Sequence, residues 1–180
     1  MHEEAKPKRD ARPWLLLISV LAIILDRITK IAVAKHVQMG DGIVVIPRVF
    51  RITHVLNTGA AFSMFADSTS PTIVRIGLIL FSVIAAVAVL TMLWRYGRNW
   101  SGASVGFALV LGGAIGNLYD RAYYHYVVDF LEVHIINYHF PDFNVADSCI
   151  CIGAGLLLLE MLWPRNAEPS EETTGELRGA

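Results

Sequence analysis

Two aspartates could do chemistry together. Asp129 lies in Tyr126-Val127-Val128-Asp129-Phe130, and Asp147 in Phe143-Asn144-Val145-Ala146-Asp147-Ser148. Each also has an ordinary reading. Asp147 follows Asn144 by three residues, so it suits the first turn of a helix capped by Asn144, facing the positive end of the helix dipole. Asp129 alone reads as a loop carboxylate. As a pair they suit another role. Neighbouring carboxylates do not both ionise easily, so they share a proton. One then serves as general base on a water, and the other donates to a carbonyl oxygen. Such a pair titrates as a unit and calls for no metal, cofactor or covalent nucleophile.

Other reactive types are weaker candidates. Asp26 and Lys30 are four apart and can pair on one helix face. Asp120 and Arg121 are adjacent and would not face each other; Arg121 reads as an interfacial anchor or as a donor to a carboxylate or backbone carbonyl elsewhere. Gly102-Ala103-Ser104-Val105-Gly106 matches the G-x-S-x-G pattern of serine hydrolases, which needs a strand–turn–helix setting. Here it opens an apolar span. Ser104 is separated from Asp120 by about 24 Å of helix, with His125, His134 and His139 farther still. Serine chemistry is therefore set aside. The histidines show no HExxH pattern and read as interfacial loop residues, without a zinc site. Cys149 and Cys151 do not form CxxC and read as small apolar helix residues.

The elements that must hold these groups are mostly membrane spans. Hydrophobic residues make up 54% of the 180, and charged residues 17%, against about 25% in a soluble domain. Mean hydropathy is +0.50. A net charge of -1 gives no support for a nucleic-acid partner. Four blocks are long enough to span, given about 20 residues each: 14–34, 73–94, 103–118 and 145–163. The first includes Asp26, Arg27 and Lys30, which must face protein or snorkel. Polar groups between the apolar stretch and Ala32-Val33-Ala34 argue against a cleaved signal peptide. Ile43–Ile46 and Val49–Leu56 are rich in β-branched residues and predict two strands of a small β element at about 41–65. Residues 119–144 read as a polar, aromatic loop. Gly112 and Gly116 form a GxxxG pair that admits a close neighbouring helix. The expected fold is all-α and polytopic, with a segment 1–13, a four-span unit over 14–163 and a disordered tail over 164–180.

Basic residues near the N-terminus, with Arg95 and Arg98, place both chain ends in the cytoplasm. Asp26 then lies about 18 Å beyond Trp14 along its helix, past the midplane. Asn57, Asn117, Asp120, Arg121, Asp129, Asn144 and Asp147 fall at the same outer face. Ionisable groups in spans are costly and usually functional. A proton-coupled transporter is the alternative function, but inverted repeats and broken helices are not seen.

Five segments carry a resemblance. Asp26-Arg27-Ile28-Thr29-Lys30, Asn57-Thr58-Gly59-Ala60-Ala61-Phe62-Ser63, Gly112-Gly113-Ala114-Ile115-Gly116-Asn117-Leu118-Tyr119-Asp120-Arg121, Val127-Val128-Asp129-Phe130 and Phe143-Asn144-Val145-Ala146-Asp147-Ser148 occur in this order. The chain thereby resembles the lipoprotein signal peptidases (signal peptidase II) over roughly 14–163. The resemblance implies a monomeric aspartic endopeptidase of the bacterial inner membrane, active near the periplasmic face. It implies membrane lipid around the enzyme, a prolipoprotein substrate cut just before a diacylglyceryl-modified cysteine, and inhibition by globomycin-type compounds. It assigns catalysis to Asp129 and Asp147. It assigns support of the site to Asn57, Gly112, Asn117, Arg121, Asn144, Asp26 and Lys30. Arg27 departs from the glutamine common in the family. The β element is expected to lie on the membrane surface and hold the substrate.

Overall fold

A computed structural model describes residues 9–59, 70–136 and 138–163. The expected tail, the segment 1–8, Ala60-Ala61-Phe62-Ser63 and the end of the β element lie outside the described residues. Among the described residues, four helices run over Arg12–His36 (α1), Pro71–Tyr96 (α2), Gly102–Tyr123 (α3) and Val145–Leu162 (α4). Three are long and apolar enough to cross a membrane: Thr72–Tyr96, Gly102–Tyr123 and Val145–Leu162.

α1 carries too much charge to meet that composition, yet its faces are inverted relative to a water-soluble helix. Trp14, Leu17, Leu21, Ile24, Ile28 and Ile31 form an exposed apolar stripe. Ser19, Asp26 and Lys30 lie on the buried face. Helical periodicity sorts the residues in both cases; an apolar outside with a polar inside suits a lipid surround.

α3 is the hub, packed against each of the other three helices. Its glycines set the spacing. A Cβ on Gly112 would sit 2.8 Å from the Ala22 Cβ and from the Ser19 carbonyl oxygen of α1, so a side chain there would push α1 away. Ser19 Oγ crosses the same contact to the Ala108 carbonyl at 2.7 Å. At the far end, the Ala11 N–H donates to the Arg98 carbonyl at 3.0 Å, and Arg12 lies over the Trp94 ring at 4.5 Å. The start of α1 and the basic α2–α3 connection therefore share one end of the helices.

At the opposite end, β1 (Gly42–Ile46), β2 (Phe50–Asn57), β3 (Val127–Ile135) and β4 (Tyr138–Phe143) form one antiparallel sheet in sequence order. The first two strands match the expected ones. The expected loop over 119–144 does not hold: α3 continues to Tyr123, and the rest supplies β3 and β4. Asp129, Glu132, His134 and His139 break the apolar alternation that would mark strands. The pairing also joins distant segments, with Val55 opposite Asp129 and Asn57 opposite Val127. The β element is thus a four-stranded sheet, twice the expected strand count.

Candidate active site

The site forms where β2, β3 and the ends of three helices meet. β3 holds Asp129, only 3% exposed, between buried Val128 and Phe130. Asp147 is in the first turn of α4. Asn144 joins the two. Its Nδ2 donates to Asp129 Oδ1 at 2.7 Å. Its Oδ1 accepts from the Asp147 N–H at 3.0 Å, and its own N–H donates to Asp147 Oδ2 at 3.2 Å. The expected helix cap is therefore present as a capping box, and the capping residue also reaches the other carboxylate.

Two more asparagines complete the frame. Asn57 Nδ2 donates to Asp129 Oδ2 at 2.9 Å, and Asn57 Oδ1 accepts from the Gly59 N–H at 2.9 Å. Asn117 Nδ2 donates to Asp147 Oδ1 at 2.8 Å. Asn117 Oδ1 accepts from Lys30 Nζ at 2.9 Å. A lysine can only donate, so Lys30 fixes which end of the Asn117 amide faces Asp147. Each of the four carboxylate oxygens thus accepts one N–H, leaving lone pairs for water, substrate or a shared proton.

Asp129 lies well above the ordinary carboxylate range, pushed up to about 6. Burial is the main cause; the charge of Asp147 adds to it, while the Asn57 and Asn144 hydrogen bonds and Lys30 oppose it. Burial and the Asp147 charge thus make Asp129 hold a proton more readily than an ordinary carboxylate does.

Behind the asparagines lies a buried ion network. Lys30 Nζ is 2.8 Å from Asp26 Oδ2 and 2.7 Å from Asp120 Oδ2. Asp26 Oδ1 accepts from the Ala146 N–H at 3.0 Å, one residue before Asp147. Arg27 pairs with Asp120 and lies over the rings of Tyr119 and Tyr124, at 5.0 and 5.1 Å. Lys30 thus has two carboxylates, and Arg27 supplies the second positive charge, which explains an arginine here. Arg121 donates to the Gly59 carbonyl at 3.2 Å and the Asn117 carbonyl at 3.4 Å, tying α3 to the end of β2. Gly112 stands apart, at the α1–α3 contact. Asp120 is the functional candidate that spacing understated; its signal was position, one helical turn beyond Asn117.

Ser104 is remote from this site. It forms a capping box with Ser101 at the start of α3. Ser104→Ala should leave turnover unchanged and cost about 1 kcal/mol of stability; a large fall in kcat, with the melting temperature unchanged, would contradict this.

The comparisons agree on one family. The profile described as Signal peptidase (SPase) II matches residues 18–163. The lipoprotein signal peptidase of Pseudomonas putida is 46% identical over 156 residues, 86% of this chain and 90% of its own. That of Coxiella burnetii is 38% identical over 166 residues, 91% and 98% of the two chains. A bacterial membrane enzyme solved by the in meso method at 2.3 Å superposes with a TM-score of 0.77 at 29% identity, covering 91% of this chain and 99% of that one. A second, at 1.9 Å, gives 0.76 at 30% identity, covering 88% and 98%. With a profile match over most of its length and relatives this similar, the chain belongs to the signal peptidase II family, a family of membrane peptidases.

Proposed function

We propose that this chain is an intramembrane aspartic endopeptidase that removes the signal peptide from diacylglyceryl-modified prolipoproteins, cutting N-terminal to the lipidated cysteine. The observation that carries this reading is the shared hold of Asn144 on Asp129 and Asp147. Asp147, ionised, takes a proton from a water, and the water oxygen attacks the scissile carbonyl carbon. Asp129 donates its proton to the carbonyl oxygen, which disperses the developing charge. When the tetrahedral intermediate collapses, the C–N bond breaks. The proton on Asp147 passes to the leaving nitrogen, and Asp129 recovers its own from the hydroxyl.

In this reading all four helices span the bacterial inner membrane, with α1 completing the set through its lipid-facing stripe. Both chain ends are cytoplasmic, and the carboxylates lie at the periplasmic headgroup level. A lipid-bearing substrate enters sideways between helices. Exposed Ile43, Val44, Val45 and Ile46 on β1 suit contact with the membrane surface or the acyl chains. A monomer suffices, because one chain supplies both aspartates and their donors. Globomycin-type inhibitors would compete at the same carboxylates. The transporter alternative loses its support, since the relatives are peptidases.

The test is cleavage of a diacylglyceryl-modified precursor against the same precursor unmodified. The modified form should be cut to a product beginning with the lipidated cysteine, at a rate at least about 100-fold higher, as remote binding energy worth about 2.7 kcal/mol would allow. Equal cutting of both, or a product with another N-terminus, would overturn the proposal.

A further inference from the structure

A second cluster of reactive side chains lies on the sheet beyond the aspartates. Glu132 and His134 are two apart on β3 and so share one sheet face. His139 on β4 is paired directly opposite His134. The Nε2 atoms of both histidines point at the same oxygen, Glu132 Oε1, from 2.7 Å and 2.6 Å. Their rings stack at 4.5 Å. All three potential ligand atoms lie within 4.8 Å of one another.

The Glu132 side chain is 3% exposed, while His134 and His139 are 31% and 57% exposed. The carboxylate therefore forms the floor of the cluster, and the imidazoles form a mouth reachable from outside. Glu132 Oε2 is buried without a well-aligned hydrogen bond; Arg51 Nη1 lies 3.1 Å from it and donates instead to Oε1, at 3.2 Å.

We infer that Glu132, His134 and His139 form a binding site for a divalent transition-metal ion of the zinc class, which clasps β3 to β4. Two imidazole nitrogens and one carboxylate oxygen are a three-ligand set that such ions accept, with water in a fourth position. Zinc–ligand bonds of about 2.0–2.2 Å in tetrahedral geometry set neighbouring ligand atoms about 3.3 Å apart. The two Nε2 atoms must therefore draw back from Oε1 by about 0.6–0.7 Å, which the exposed imidazoles can do by tilting. On binding, each neutral ring carries its proton on Nδ1 instead of Nε2 by exchange with water, and the freed Nε2 lone pair takes the ion. Arg51 Nη1 now donates to the ligating oxygen Oε1, so it competes with the ion there and must shift onto Oε2. Its positive charge also weakens the site. Calcium and magnesium require oxygen-rich shells and do not fit. The site is separate from the peptidase reaction, although Glu132 is three residues along the same strand from Asp129.

The full chain in detergent, treated with chelator and then dialysed against zinc chloride, should retain one ion per chain at micromolar free zinc. Calcium chloride should give none. His134→Ala and His139→Ala should each weaken retention by at least about 100-fold, beyond the 10–100-fold typical of outer-shell changes, and Arg51→Gln should strengthen it. Zinc should raise the melting temperature of the parent but not of the histidine variants. His139 is more than half exposed, so its variant should fold even if Glu132→Gln does not. Absence of stoichiometric zinc, or retention unchanged in the His134→Ala/His139→Ala double variant, would overturn the inference.

Discussion

Asp129→Asn and Asp147→Asn are each expected to lower kcat by at least about 1,000-fold, near the upper end of what a positioned acid or base contributes. The substitutions differ by one atom, but the pinned amides make them informative. Asn57 and Asn144 both present N–H groups to Asp129, and neither can turn round without losing its Oδ1 partner, the Gly59 or the Asp147 N–H. An asparagine at 129 therefore sets one donor against another, at about 1–3 kcal/mol. Folding should be checked by melting temperature and size-exclusion profile beside the assay. A folded Asp129→Asn or Asp147→Asn protein with near-parental turnover would rule out the paired-aspartate mechanism. Carbon-13 titration of the aspartate carboxyls offers an independent check. Asp129 should titrate near 6 in the parent. The negative charge of Asp147 is one of the causes holding it up, so Asp147→Asn should move the Asp129 titration down towards the ordinary range. An unchanged value would mean that the two carboxylates do not interact.

The second large effect concerns Lys30. Its side chain is 1% exposed and neutralises parts of Asp26 and Asp120 while orienting Asn117. Lys30→Met should cost about 3–5 kcal/mol of stability, since it leaves buried carboxylates short of their counter-charge. Arg27 and the Ala146 N–H remain as partial partners for Asp120 and Asp26, which keeps a folded fraction measurable. In that fraction kcat should fall about 10–100-fold, or 1.4–2.7 kcal/mol, with KM little changed, because the Asn117 Oδ1 loses its charged donor at 2.9 Å and keeps only the longer contact from Asn144 Nδ2 at 3.3 Å. A purely structural role would predict additivity with Asn117→Ala. A positioning role predicts that Lys30→Met/Asn117→Ala is no slower than Asn117→Ala alone. Strict additivity in that cycle would refute the route through Asn117.

Much of this was legible in the order of the residues. Long apolar blocks marked the helices because burial in lipid demands about 20 apolar residues in a row, a local property. The β-branched runs marked β1 and β2 for the same reason. Asn144 before Asp147 announced a helix start, since capping depends on residues three apart. The motif order carried the family. What the order of residues could not show was contact between distant segments. β3 and β4 read as loop because their charged residues interrupt the pattern; β3 is held by pairing with β2, which lies far earlier in the chain, and β4 by pairing with β3. The role of Arg27 depended on Asp120 reaching it from another helix. His134 and His139 looked like scattered loop histidines until antiparallel register set them opposite each other. The sequence by itself determined that Asp129 and Asp147 are present at spacings that suit the proposed acid and base. Tertiary structure decided that Asn144 joins them and that three asparagines aim at all four of their oxygens, because hydrogen-bond direction depends on which donors the packed helices bring within reach.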